Sequence, residues 1–189
     1  MIKTPAIKKE YDGRVVLDVP SLEFEEGKVY ALIGANGSGK TTFGKECGLS
    51  YQPQKPYAFR MTVLENVMLT GVSAETALKL LGQLEMTGFA KARADKLSGG
   101  ETAKMALARS IAANSTAIVF DEPTNSMDMS GSILAEKLIR QYADEGHIVI
   151  LITHSMRQAK RIADEIIFLK DGKINNNEND LKEFMEYYA

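Results

Sequence analysis

Cys47 is the only cysteine in 189 residues, so no disulfide can form within the chain. A reducing compartment such as the cytosol fits that usage. An excess of one charge is also lacking: 23 basic side chains stand against 25 acidic ones, a net of -2. That balance gives no bulk attraction to nucleic acid or anionic lipid, and no nucleic-acid partner is expected. No apolar run reaches the roughly 18 residues of a membrane-spanning helix. Met1-Ile2-Lys3-Thr4-Pro5 lacks the apolar stretch of a signal peptide. Any membrane role is therefore expected to come through a partner. There is no internal repeat and no interdomain linker; Asn175-Asn176-Asn177 reads as a polar break before a short C-terminal helix. What is present suffices for a packed core: with 44% hydrophobic residues, the expectation is a single domain over 1–189.

The apolar runs set the fold class. Leu22-Glu23-Phe24-Glu25 alternates like a half-buried strand, and Glu26-Gly27 turns the chain into the buried run Val29–Ile33. Ala117–Phe120, Ile148–Ile152 and Ile166–Leu169 are similar runs. Such runs suit the centre of a parallel sheet covered by helices, an α/β fold. Helical patterns fall between them at Thr102–Ala113, Ile133–Tyr142 and Met156–Ala163, with Asn114 as a stop and Ser155 as an N-cap. Asp171-Gly172 reads as a two-residue hairpin turn. The segment of about 61–96 is mostly helical by pattern, broken at Gly71, Gly82 and Gly88. Met61, Met68 and Met86 read as core filler.

Gly34-Ala35-Asn36-Gly37-Ser38-Gly39-Lys40-Thr41-Thr42 carries the first chemistry. It matches G-x-x-x-x-G-K-[ST] after a predicted strand. Its glycines let backbone N–H groups turn inward around phosphate oxygens, and the next helix presents its positive end there. Lys40 supplies a mobile charge for β- and γ-phosphates, and the Thr41 hydroxyl can ligate Mg²⁺. The expected ligands are ATP and Mg²⁺. Asp121-Glu122 stands at the carboxyl end of a predicted strand, where open α/β sheets bind ligands. Asp121 suits a Mg²⁺ site reached through water, and Glu122 suits a base for the attacking water. Leu97-Ser98-Gly99-Gly100-Glu101 opens a predicted helix and offers a second anion site. With a complete phosphate loop already in the chain, that site makes most sense against the ATP of another subunit.

In this order the motifs resemble those of the ATP-binding cassette (ABC) ATPases over nearly the whole chain. The resemblance implies a P-loop NTPase with a helical subdomain and a small antiparallel β-region. Tyr51-Gln52-Pro53-Gln54 looks like the Q-loop, which implies that Gln54 contacts Mg²⁺ or the attacking water. Leu97–Glu101 looks like the signature motif, so Ser98, Gly99 and Gly100 would bind nucleotide across a dimer. Asp121-Glu122-Pro123-Thr124 looks like the Walker B segment, and Ser126-Met127-Asp128 like the D-loop at the dimer interface. Ile152-Thr153-His154 looks like the switch segment, placing His154 on the γ-phosphate. Tyr11 is in place to stack on adenine. The family implies a second ATPase subunit and a membrane-spanning permease as partners, and a cytoplasmic location at the inner face of the membrane. Gln54-Lys55-Pro56-Tyr57 and the stretch from Thr153 to Ile174 look most like importer subunits, including those for oxyanions such as tungstate. The groove receiving the permease would lie where Tyr57, Phe59 and Arg60 follow Gln54.

The chain departs from the family in one respect above all. Only thirteen residues separate Lys40 from Gln54, where members usually carry several times more, so the β-region is expected to be reduced. Glu101 ends the signature where glutamine is commoner, and Lys104 stands where arginine is frequent. Besides the transport ATPase, two other readings stay open. One is an ATP-binding module with little hydrolysis. The other is a soluble ABC protein of translation or repair, although neither a second cassette nor a long coiled coil is present.

Overall fold

The first strands, from Ile2 to Phe24, pair antiparallel before the main sheet begins. The computed structural model describes residues 1–187. β1 (Ile2–Lys3) pairs with β4 (Glu23–Phe24), so the strand expected over Leu22–Glu25 is two residues long and lies outside the parallel sheet. β2 (Ile7–Tyr11) and β3 (Arg14–Val19) form a hairpin closed by Asp12 and Gly13, at φ 49° and 76°. These are the left-handed values of a type I′ turn. The small antiparallel β-region expected from the motif order is therefore present.

The expected buried runs form the centre of a six-stranded sheet. They are β5 (Val29–Ile33), β7 (Ala117–Asp121) and β8 (Ile148–Ile152), each buried at every position, with β9 (Glu165–Lys170) beside β5. β6 (Ser50–Gln52) and β10 (Lys173–Ile174) complete the order β10-β9-β5-β8-β7-β6. The pairs β5–β8, β5–β9 and β7–β8 are parallel. β9 and β10 form the expected hairpin, with Asp171 at φ 49° and Gly172 at φ 76°. On one face, Tyr30, Leu32, Val119 and Ile150 pack with Phe43 of α1 (Lys40–Glu46). On the other, Ala31 and Ile33 pack with Met156 and Ala159 of α6 (Met156–Ile162) and with Leu181 and Phe184 of α7 (Glu178–Tyr187). Ser155 caps α6 as expected. The short crossover is achieved by cutting α1 to seven residues and turning at Gly48.

The chain folds into two compact units. The first holds Met1–Tyr51, Thr116–Glu122 and the chain from Ala143 onward; the second holds Gln52–Ser115 and Pro123–Tyr142. The second unit is wider than the helical segment of about 61–96 read from the sequence. It contains α2 (Val63–Met68), α3 (Ala74–Gln83), α4 (Gly99–Ala112) and most of α5 (Met129–Asp144). α4 starts three residues earlier than its apolar pattern, because Ser98 and Glu101 form a capping box, and Asn114 at φ 52° ends it. α5 starts four residues early because Asp128 Oδ1 accepts the Gly131 N–H at 2.7 Å.

Candidate nucleotide site

Parallel pairing brings three chemical segments to one edge of the sheet. Asp121 on β7 lies level with Ile152 on β8, and Leu32 on β5 is level with Ile152 as well. Each strand therefore ends at the same height. The Gly34–Thr42 loop, Asp121-Glu122 and Thr153-His154 leave together from the carboxyl edge, where such sheets bind ligands.

The loop after β5 is shaped to wrap an anion. Gly34 has φ 152°, and a Cβ there would stand 2.1 Å from the Leu169 carbonyl oxygen, so only glycine passes. Lys40 Nζ is folded inward, donating to the carbonyls of Gly34 at 2.7 Å and Ala35 at 2.9 Å. Burial pushes its ammonium below the ordinary lysine value, while Glu122 and Asp121 pull it back up. Ser38 Oγ is buried, and among the described residues nothing hydrogen-bonds to it. An unmet hydroxyl, a folded lysine and inward backbone fit a polyphosphate. A cavity of about 710 Å³ adjoins the loop at Asn36–Ser38 and is also lined by Arg14, Val15 and Val16 of β3 and Phe184 of α7.

Asp121 is almost fully buried. Its Oδ2 accepts the Thr41 hydroxyl at 2.8 Å, so the two groups expected at Mg²⁺ already touch. The Tyr51 hydroxyl donates to the same oxygen at 2.7 Å. Burial, then this hydrogen bond, pushes the Tyr51 phenol above its ordinary value, so it stays a donor at neutral pH. Glu122 follows with φ 47°, a strained value for a residue with a side chain. Its N–H donates to the Ile152 carbonyl at 2.9 Å, and its Oε1 lies 3.1 Å from His154 Nδ1.

The first unit thus brings together Gly34, Asn36, Gly37, Ser38, Gly39, Lys40, Thr41, Thr42, Asp121, Glu122 and His154. Tyr11 is in this unit too, half exposed at the end of β2 opposite Arg14; Val15 and Val16, rather than its ring, line the cavity. Gln54, Ser98, Gly99 and Gly100 belong to the second unit. Gln54 is exposed after β6. Ser98 Oγ lies 2.7 Å from Glu101 Oε2, which also accepts the Ser98 N–H at 2.7 Å. The chain's own carboxylate therefore sits on the expected anion site, and the Ser98 contacts hold that carboxyl below its ordinary value. Tyr57 and Phe59 are exposed and meet edge to face with centroids 4.9 Å apart.

Sequence reasoning missed two residues. Tyr51 had a signal, the glycine at position 44 inside α1 that makes room for its ring. Asn66 had only its place in a helix. It is fully buried and fixes the loop before α2 through Phe59 and Thr62.

Comparison with known proteins agrees with the motif order. The ABC transporter family model matches residues 44–125. The tungstate uptake system ATP-binding protein TupC of Peptoclostridium acidaminophilum is 36% identical over 200 residues, covering 89% of this chain and 94% of that protein. The glutamine transport ATP-binding protein GlnQ of Bacillus subtilis is 30% identical, covering 92% of this chain and 88% of its own. The alignment to GlnQ runs over 217 positions, more than the 189 residues of this chain, so the relative carries residues for which this chain has none. A bacterial ABC transporter cassette, MJ0796, solved as a dimer, superposes with a TM-score of 0.83 at 25% identity, over 93% of this chain and 97% of that one. Its post-hydrolysis state bound to ADP and Pi gives a TM-score of 0.84 at 25% identity, over 94% of this chain and 98% of that one. With the phosphate loop, the Asp121-Glu122 pair and His154 at one sheet edge, these matches place the chain in the ABC transporter family as an ATP-binding, ATP-hydrolysing subunit.

Proposed function

We propose that this subunit hydrolyses Mg²⁺-ATP at a site it shares with a second copy of itself and passes the resulting motion to a membrane-spanning permease. The observation that carries the reading is the convergence of Thr41, Asp121, Glu122 and His154 at one sheet edge. The Gly34–Thr42 backbone cradles the phosphates, and Lys40 turns from the Gly34 and Ala35 carbonyls to the β- and γ-phosphates. Tyr11 stacks on adenine above Val15 and Val16. Thr41 and Asp121, with Gln54, would hold Mg²⁺, which neutralises charge developing on the phosphates. Glu122 orients a water and takes its proton; His154 holds the carboxylate now and the γ-phosphate in the loaded state. Ser98, Gly99 and Gly100 of the second copy close over that phosphate.

The partner reading rests on exposure. No helix among the described residues is long and apolar enough to cross a membrane. Tyr57 and Phe59 offer rigid aromatic area, the residue type enriched at interface hot spots. The place of the chain is then the cytoplasmic face of the membrane, held there by the permease. The similarity to TupC favours an importer, with cargo chosen by other subunits.

Assembly gives the test. The Glu122→Gln variant in saturating Mg²⁺-ATP should sediment as a dimer and return to monomer in ADP, since the γ-phosphate is the shared ligand. A profile that stays monomeric at saturating ATP would overturn the shared site.

A further inference from the structure

Mid-helix glycine costs about 1 kcal/mol against alanine, yet α1 carries Gly44 at its buried centre. The neighbours explain it. A Cβ at Gly44 would stand 2.9 Å from Tyr51 Cε2, 3.2 Å from Tyr51 Cδ2 and 3.1 Å from Ile152 Cδ1. The gap in the helix is filled by the Tyr51 ring. That ring ends in the hydroxyl that donates to Asp121 Oδ2 at 2.7 Å. The same oxygen accepts from Thr41 at 2.8 Å. Both donors fall on Oδ2, so the lone pairs of Oδ1 are not spent on them. Asp121 is 2% exposed, so water has little access to compete for these bonds. The β6 strand that carries Tyr51 comes only a few residues after α1, and this closeness brings the ring against the helix.

We propose that Tyr51 is a positioning residue for the metal step: its hydroxyl, admitted by Gly44, locks the Asp121 carboxylate with Oδ1 turned to the water shell of Mg²⁺. Two hydrogen bonds to one oxygen fix the carboxylate plane, where a single bond from Thr41 leaves it free to rotate. Thr41 must also give its oxygen to the metal, so Tyr51 is the donor whose hold does not change when the site loads. Groups behind a metal ligand typically govern affinity by about ten- to a hundredfold. This role rests on the reading of Asp121 as the Mg²⁺ residue.

Titration calorimetry with a non-hydrolysable ATP analogue, once with Mg²⁺ and once with EDTA, separates the possibilities. Tyr51→Phe should weaken analogue binding about tenfold in Mg²⁺ and leave binding in EDTA unchanged, because only metal positioning is lost. Gly44→Ala keeps the hydroxyl but displaces the ring, and should show the same metal-confined loss. Asp121→Asn should lose the Mg²⁺-dependent gain altogether. If Asp121→Asn loses it and Tyr51→Phe does not, the positioning role of Tyr51 is wrong while the metal reading of Asp121 stands. If Asp121→Asn keeps the gain, the metal reading itself is wrong. Equal weakening in Mg²⁺ and EDTA would make Tyr51 a packing residue and overturn the proposal.

Discussion

Glu122 Oε1 and His154 Nδ1 stand 3.1 Å apart, each one short step beyond the end of a strand in the same parallel pair. The pairing sets that distance. The Glu122 N–H continues the β7–β8 ladder by donating to the Ile152 carbonyl, and the backbone then turns at φ 47°. The turn leaves Glu122 mostly buried while His154 stays half exposed. A buried carboxylate beside an open imidazole can hold a water on the exposed side. Strain of this kind persists only where the surroundings over-determine it, and it gathers at functional sites.

Lys40 should reveal its burial through pH. Its folded-state pKa lies below the unfolded value of 10.5, chiefly by desolvation. Between the two values the unfolded chain binds the proton that the folded chain has released, so stability without nucleotide should rise as pH climbs through that window. Urea melts of wild type and Lys40→Ala should show the rise in the first and not in the second. The same variant should bind ATP about ten- to a hundredfold more weakly, through loss of a charged hydrogen bond to phosphate. A wild-type stability that falls across this window would refute the buried-ammonium account.

Asn66 should prove structural and Tyr57 functional. Asn66 donates to the Phe59 and Thr62 carbonyls, and its oxygen accepts from Phe59 N and Arg109. Arg109 also donates to the Tyr57 carbonyl and lies 5.2 Å from the Phe59 ring centroid. Asn66→Ala leaves buried backbone groups unmet and should cost about 2–3 kcal/mol in urea denaturation. Tyr57→Ala, at a side chain 63% exposed, should change stability by less than about 0.5 kcal/mol while weakening capture of the permease. Phe59→Ala should fall between the two, because it removes the stack with Arg109. A many-degree loss of melting temperature in Tyr57→Ala would make that ring core.

The sheet was legible because runs such as Val29–Ile33 and Ile148–Ile152 are apolar at every position and only five residues long, a pattern that suits a strand covered on both faces. The spacing of the Gly34–Thr42 loop and of Asp121-Glu122 after their apolar runs was enough to place both at the carboxyl ends of strands, and the structure brings them to one sheet edge. β2 escaped because Ile7–Tyr11 is rich in charge and largely exposed; β3 left two signals unread, the apolar run Val15-Val16-Leu17 and the Asp12-Gly13 turn, the same dipeptide that marks the later hairpin at Asp171-Gly172. The extent of the second unit escaped for a different reason. Helices α4 and α5 join it from beyond β6 and β7, and amphipathic period reports a helix but not its neighbours. The contacts of Tyr51 with Asp121 and of Asn66 with Arg109 cross long stretches of chain, which no local pattern encodes.

Phosphate release decides whether this sheet edge hydrolyses ATP. Wild-type protein with Mg²⁺-ATP should release phosphate steadily, and Glu122→Gln should release it about 10²–10⁴-fold more slowly, the usual worth of a general base. The amide keeps the shape of the site, so ATP affinity should not change. A wild type no faster than Glu122→Gln, or a variant that hydrolyses at the wild-type rate, would contradict the assignment of this sheet edge as a working ATPase site.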